Sequence, residues 1–282
     1  MANLLLILCI VTVSMQSVFK KQYSIKLDKG ILLFNGISAL FAMLFFVIAE
    51  PKPEFNAGTS VYSAAFAAAY MISLYTWFAA LRTGPFAITS LIISYSLIIP
   101  TLYGLIWLGE PFTLNIGAGF VLLAWSLYLI TEKKKADKAM SLKWLTYLVL
   151  AFVSNGMCSV IQKEQQIAFD GAYKCEFMMM ALGIVVLIFA ACIMINERKI
   201  IRECLLQAII PAALCGIANG VTNYLVMIVT AYIAASVFFP VLSAGNVVFV
   251  FVVSVVFFKE NFSAKQLAGV AVGIASLVLL NV

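Results

Sequence analysis

The stretch GEPFTLNIGAGFVLLAWSLYL, residues 109–129, returns in outline as KENFSAKQLAGVAVGIASLVL at residues 259–279. Each copy has a glutamate in a short polar turn, followed by an apolar run of about the length that crosses a bilayer. At an offset of 150 residues the identical pairs are Glu110/Glu260, Phe112/Phe262, Ala118/Ala268, Gly119/Gly269, Ser126/Ser276, Leu127/Leu277 and Leu129/Leu279. The chain therefore repeats one kind of membrane-length segment near the end of each half.

The composition places the whole chain in a lipid environment. Hydrophobic residues make up 64% of the 282 residues, charged residues make up 11%, and the mean hydropathy is +1.08. Soluble domains carry about 25% charged residues, so this chain has too few to cover a water-soluble globule. The six cysteines are scattered without metal-ligand spacing, and the sequence contains no histidine. We therefore expect no metal and no cofactor.

Apolar segments long enough to span a membrane recur along the sequence. Each needs about 20 mainly apolar residues, and ten segments qualify. They are residues 2–20, 31–49, 60–81, 86–108, 113–131, 143–162, 174–195, 204–230, 234–258 and 263–281. The longest polar connection lies at the centre, so the sequence predicts an all-α membrane protein with a first five-helix repeat (1–132), a basic linker (133–142) and a second five-helix repeat (143–282).

The distribution of positive charge predicts the orientation. All but three of the 18 lysine and arginine residues follow the odd-numbered segments, the exceptions being Lys52, Lys163 and Lys174. Cytoplasmic loops are the ones enriched in Lys and Arg. We therefore expect the basic loops and the linker on the cytoplasmic side of the cell (inner) membrane, with both termini outside.

The two halves align further back along the chain. Residues 17–21 lie over residues 159–163, and Tyr75 lies over Tyr224. A unit of five spans is odd in number, so its duplicate enters the membrane upside down. This inverted repeat is typical of secondary transporters that alternate around a site at the membrane midplane.

With Gly109-Glu110-Pro111 ending the fourth segment and Lys259-Glu260-Asn261 ending the ninth, the chain resembles the EamA-like transporters of the drug/metabolite transporter superfamily. The resemblance covers essentially the whole chain, although Lys259 stands where the first half has Gly109. It implies a ten-helix alternating-access carrier, often an exporter or exchanger of small metabolites. It also implies that segments one, three, four, six, eight and nine surround the central cavity.

Polar side chains inside the spans are the candidate substrate-binding residues, because amides and hydroxyls within a bilayer must find partners and turn inward. Asn219 and Asn223 lie four residues apart on one helical face, and Ser243 and Asn246 lie three apart. The full set is Gln16, Tyr70, Trp77, Ser94, Asn155, Asn219, Asn223, Tyr224, Ser243 and Asn246. Plain hydrogen bonding between helices is the alternative role for each residue.

Two further sets concern the shape of the spans. Pro100 and Pro240 remove a backbone N–H and predict kinks, which either help a gate or bend the helix passively. Glu110 with Thr113, and Glu260 with Ser263, precede new spans and are expected to cap them, with a role of the glutamates in gating or coupling as the alternative. The small residues Gly269, Gly273 and Ser276 form a face for close helix packing, within the chain or between two copies.

Taken together, the sequence predicts a secondary transporter of a small organic metabolite, such as an amino acid or a related compound. Its partners would be that solute and the lipid bilayer, with no nucleic acid, and a monomer is favoured over a homodimer. An exporter of hydrophobic or quaternary-amine drugs is the alternative, marked by aromatic rings stacked across the cavity. A membrane enzyme acting on lipids is disfavoured, because no cluster of His, Asp or Cys is present.

Overall fold

The computed structural model describes residues 2–27, 29–109, 112–130, 141–230, 233, 235–259 and 263–279. In these ranges the regular structure is helical throughout, without a strand. The helices are α1 (Ala2–Lys26), α2 (Ile31–Ala49), α3 (Ala57–Thr83), α4 (Phe86–Ser94), α5 (Ile98–Ile106), α6 (Leu114–Ile130), α7 (Leu142–Ala168), α8 (Lys174–Asn196), α9 (Ile201–Val229), α10 (Ala235–Val256) and α11 (Ala264–Leu279), with a 3-10 turn at Tyr95–Leu97.

The chain is a membrane protein. In the part of the chain that the structure describes, six helices are long and apolar enough to cross a bilayer, namely α1 (from Leu5), α2, α3, α7, α8 and α9. The other spans that the sequence predicts coincide in position with α4 and α5 together, and with α6, α10 and α11. α1 and α7 continue past their predicted ends, to Lys26 and Ala168, because Lys and Gln are good helix formers and extend toward the interface.

The fourth predicted segment, residues 86–108, is interrupted. α4 ends at Ser94, the chain makes a 3-10 turn over Tyr95–Leu97, and α5 begins at Ile98. Pro100 cannot donate a backbone hydrogen bond to the carbonyl of Ser96. That carbonyl faces Gly156 of α7, where an added Cβ would lie only 2.7 Å from its oxygen. The break therefore lies directly against Gly156 of α7.

Helices α6 and α11 pack against each other through reciprocal contacts. Ser126 Oγ donates to the carbonyl of Gly269, and Ser276 Oγ donates to the carbonyl of Gly119, both at 2.7 Å. The early part of each helix thus meets the late part of the other, so the two helices run antiparallel. The face formed by Gly269, Gly273 and Ser276 is covered by α6 of the same chain.

The turns that precede these two helices have the same backbone shape. Gly109 has a φ of 65° and Lys259 has a φ of 51°, so the lysine adopts the left-handed conformation of its glycine counterpart. Thr113 Oγ1 then accepts the N–H of Ile116 at 3.3 Å. Ser263 and Gln266 form a reciprocal capping box at 3.2 and 2.9 Å. Glu110 and Glu260 lie outside the described residues.

Helix contacts elsewhere recur when the halves are exchanged. α7 packs on α3, as α1 packs on α9; α8 packs on α3, as α2 packs on α9. α7 also contacts α4 and α5, as α1 contacts α10. For the description that follows, α3, α4, α5 and α7 are named the first group, and α1, α9 and α10 are named the second group; α10 contacts α4 and α5 where the two groups meet.

Candidate functional site

A chain of side-chain hydrogen bonds joins α3, α9 and α1 in the interior. The hydroxyl of Tyr70 donates to Asn219 Oδ1 at 2.6 Å, and Asn219 Nδ2 donates to Gln16 Oε1 at 3.0 Å. Gln16 Nε2 in turn donates to Thr222 Oγ1 at 3.1 Å. Asn219 and Thr222 are three residues apart and share one face of α9. Three predicted site residues thus belong to one network.

Asn223 extends this network to α7. Its Nδ2 donates to the backbone carbonyl and to Oδ1 of Asn219, at 2.9 and 3.1 Å, while its Oδ1 accepts Gln162 Nε2 at 2.7 Å. Gln162 was missed as a site residue from the sequence. The available signal was its place in residues 159–163, the segment that repeats residues 17–21 of α1.

Two further polar pairs lie on either side of the same centre. Asn155 Nδ2 donates to Ser96 Oγ at 2.7 Å, and Ser14 Oγ donates to Asn246 Oδ1 at 2.6 Å. Ser96 and Asn246 are separated by the repeat offset of 150 residues. The first pair lies within the first group and the second pair within the second group, so each stiffens one group internally.

A cavity of about 80 Å³ lies between the two groups. That is smaller than the 300–1,000 Å³ of typical small-molecule sites. Its polar lining residues are Tyr70, Trp77, Ser90, Asn155, Ser159, Gln162, Thr222, Asn223 and Asn246. Its apolar lining residues are Val13, Phe66, Ile93, Cys158, Val226, Phe239 and Leu242.

The remaining predicted residues lie at or beyond the edge of this cavity. Gln16 and Asn219 are buried directly behind it and hold the lining residues Thr222 and Tyr70. Ser243 is buried in α10. Tyr224 points toward α2, with its ring 6.0 Å from that of Phe45, because adjacent residues on a helix diverge by about 100°. The side chain of Ser94 lies outside the described residues.

Of the two prolines, Pro100 is buried in α5 just after the 3-10 turn, while the ring of Pro240 lies outside the described residues. Lys163, one of the three basic residues outside the odd-numbered loops, donates to the carbonyl of Thr230 at 3.0 Å. It therefore secures the end of α9.

The charged residue that the sequence did not bring forward is Lys20. Its side chain is fully buried, and Nζ lies 3.4 Å from the centroid of the Trp77 ring. Trp77 lines the cavity, so the ammonium group lies behind one wall of it. This contact joins α1 of the second group to α3 of the first.

Comparisons with known proteins agree with the fold. A family model described as the EamA-like transporter family matches residues 142–282. A solved structure titled "Crystal structure of protein" superposes with a TM-score of 0.71 at 12% identity, over 99% of this chain and 95% of that chain. At that identity the likeness is one of fold alone. Comparison with curated proteins found no match.

Proposed function

Because the chain belongs to the EamA-like transporter family, we propose that it carries a small organic metabolite, such as an amino acid or a related compound, across the cell (inner) membrane. The family is one of membrane transporters, not of enzymes. The observation that carries the proposal is the polar cavity between the two groups of helices, lined by Asn155, Gln162, Asn223 and Asn246.

The mechanism is alternating access by two inverted five-helix repeats. The reciprocal bonds of Ser126 and Ser276 support the inversion, because they place equivalent segments antiparallel. The contacts that recur on exchange of the halves support it further. α3, α4 and α5 rock against α9 and α10, so that the cavity opens first on one side of the membrane and then on the other.

Bonds between the groups must break in each cycle, whereas bonds within a group persist. Tyr70–Asn219 and Gln162–Asn223 join the two groups. Asn155–Ser96 and Ser14–Asn246 lie within them. A polar solute replaces the between-group bonds with bonds to itself, which lowers the cost of separation. In this scheme Pro100 and Pro240 mark the bends of the moving segments.

The lining favours a polar, uncharged or zwitterionic solute. Amides can both donate and accept, so Asn155, Asn223 and Asn246 suit the ammonium and carboxylate groups of an amino acid. The protein acts as an exporter or exchanger. It faces the cytoplasm with its basic loops, has both termini outside and works as a monomer, since the small-residue face of α11 is already covered by α6.

Export of hydrophobic or quaternary-amine drugs is the second candidate, because Phe66, Tyr70, Trp77 and Phe239 also line the cavity. Two of these rings, Phe66 and Tyr70, stack on each other within α3 at 5.3 Å. A third ring, that of Trp77, already makes a cation–π contact with the ammonium group of Lys20. A cationic drug would therefore compete with Lys20 for the best aromatic face.

The test is counterflow in proteoliposomes with a panel of radiolabelled metabolites and quaternary amines. We expect exchange of at least one amino acid or related metabolite, reduced at least ten-fold by Asn223→Ala and by Asn246→Ala. Asn196→Ala is the matched control, because Asn196 is exposed at the end of α8 and bonds only locally to Cys192. Exchange that is unaffected by both cavity variants would place the route elsewhere, and exchange of amines alone would favour the drug exporter.

A further inference from the structure

The ammonium group of Lys20 is buried without a hydrogen-bond acceptor or a carboxylate partner among the described residues. A lysine ammonium offers three donors, and burying a charge is costly unless it is paired and hydrogen-bonded. Among the residues that the structure describes, Lys20 Nζ has no hydrogen-bond partner. The face of Trp77, 3.4 Å away, attracts the cation but supplies no carboxylate. The ammonium group of Lys20 can therefore bind an anionic partner.

Four of the described carboxylates, those of Glu164, Glu176, Glu197 and Glu203, have partners other than Lys20. Within the described ranges the sole ion pair joins Lys29 to Glu203 at 2.6 Å. Glu197 accepts the backbone N–H groups of Leu32 and Leu33 at the start of α2. Glu176 accepts the N–H of Glu54, and Glu164 accepts the hydroxyl of Tyr103. None of these described groups neutralises Lys20.

The repeat indicates when Lys20 would face a solute. In the alignment of residues 17–21 with 159–163, Lys20 stands where the second half has Gln162. Gln162 lines the cavity and contacts Asn223 across the two groups. Inverted repeats exchange conformations as the carrier turns over. In the opposite-facing state, in which the cavity opens to the other side of the membrane, Lys20 therefore takes the position that Gln162 has here. Separation of α1 from α3 then moves the ammonium group away from Trp77.

We infer that Lys20 binds the carboxylate group of the transported solute in the opposite-facing state, an inference that rests on the proposed function. One ammonium group matches one carboxylate in charge, and the cavity-lining amides of Asn155, Asn223 and Asn246 remain for the rest of the solute. The two repeats thus differ in chemistry at equivalent positions. The first supplies a charge and the second supplies an amide.

The experiment compares each L-amino acid with its own carboxamide as a competitor in counterflow of the radiolabelled acid, using the full chain in proteoliposomes. The carboxamide keeps the amine and the side chain but lacks the carboxylate. For the wild-type protein we expect the carboxamide to compete at least ten-fold more weakly than the acid. Lys20→Gln, which copies the second repeat, should lose this discrimination, whereas Lys20→Arg should keep it because the charge is kept.

Lys21→Gln is the matched control, since it removes the neighbouring lysine, which is only half-buried. It should discriminate as the wild type does. Wild-type exchange that treats acid and carboxamide alike, or a Lys20→Gln protein that still discriminates, would overturn the inference and leave the transporter in place. If proteoliposomes with the wild-type protein exchange neither the amino acids nor their carboxamides, the proposed function fails and the inference fails with it. Size-exclusion profiles establish that each variant is folded, and Lys20→Arg tests the charge even if Lys20→Gln does not fold.

Discussion

Ser126 and Ser276, which are 150 residues apart, make the same hydrogen bond in opposite directions. Ser126 donates to the carbonyl of Gly269, and Ser276 donates to the carbonyl of Gly119, both at 2.7 Å. Gly119 and Gly269 are themselves 150 residues apart and form a repeat pair. Self-complementary contacts of this kind are typical of a two-fold relationship. Here the contacts join α6 and α11 inside one chain, at segments that also repeat in sequence.

The α6–α11 interface leaves little room for added volume. A Cβ at Gly273 would lie 2.3 Å from the hydroxyl oxygen of Tyr95 and 2.7 Å from Ser126 Oγ. We expect Gly273→Ala to destabilise the protein by about 1–3 kcal/mol, the usual cost of overpacking. Thermal unfolding in detergent measures this change. Gly183→Ala is the control, because the nearest atom to its added Cβ is 3.9 Å away, and equal melting temperatures for the two variants would contradict the prediction.

Gln162 and Asn223 should act as a coupled pair. Gln162→Leu removes the N–H group whose hydrogen bond Asn223 Oδ1 accepts at 2.7 Å and leaves that partly buried oxygen without this bond. We expect a loss of exchange of about ten-fold, corresponding to ~1.4 kcal/mol in the transported state. The Gln162→Leu/Asn223→Ala double variant should exchange as fast as the less active of the two single variants. Additive losses would show that the two residues act independently.

Tyr70 should matter through its hydroxyl. Tyr70→Phe keeps the ring that stacks on Phe66 but removes the 2.6 Å bond to Asn219. The lost bond is worth about 0.5–1.5 kcal/mol, so we expect a small decrease in melting temperature together with weaker exchange. Tyr62→Phe serves as the comparison, since it is on the same helix and not part of this network. An identical exchange rate for wild type and Tyr70→Phe would remove the hydroxyl from the mechanism.

The buried charge of Lys20 should lower the free energy of unfolding of the protein. Replacing a buried charge by an apolar chain of similar length removes its desolvation cost, which is of several kcal/mol, and loses the attraction to Trp77, which is about 2 kcal/mol. We therefore expect Lys20→Met to raise the melting temperature by a few degrees and to decrease exchange of carboxylates. A lower melting temperature would indicate that Lys20 stabilises the fold.

Much of the architecture could be predicted from composition and periodicity. The predicted segment 31–49 coincides with α2. The EamA-like family, which the resemblance of the glutamate-containing turns indicated, is confirmed. The break at Tyr95–Leu97 was beyond this approach, since Pro100 predicts a kink but not the 3-10 turn that brings Ser96 against Gly156. Such a detail depends on the neighbouring helix.

The candidate site was predicted unevenly, for a physical reason. Polar residues at three- and four-residue spacing, such as Asn219 and Asn223, identify an interior face by themselves. Tyr224 was grouped with them because it is adjacent in sequence, yet it packs on Phe45. Lys20 escaped notice because it stands beside Lys21 near the end of an apolar run, where lysines usually reach the interface. Only the packing of α1 against α3 distinguishes the two.

In the proposed mechanism the two groups of helices move apart around the cavity in every cycle, so a cross-link between them should prevent exchange. Gln162→Cys/Asn223→Cys puts one thiol on each group, and Ser14→Cys/Asn246→Cys puts both thiols on the second group, at positions whose native side chains lie 2.7 and 2.6 Å apart. A short bis-methanethiosulfonate reagent links each pair through disulfide bonds that reduction breaks. Counterflow is measured before linking, after linking and again after reduction, with the four single variants as controls. We expect linking to stop the exchange that the first pair retains, reduction to restore it, and the second pair to exchange at its own unlinked rate throughout. Unchanged exchange by the linked Gln162→Cys/Asn223→Cys protein, with the cross-link verified, would contradict the proposed motion.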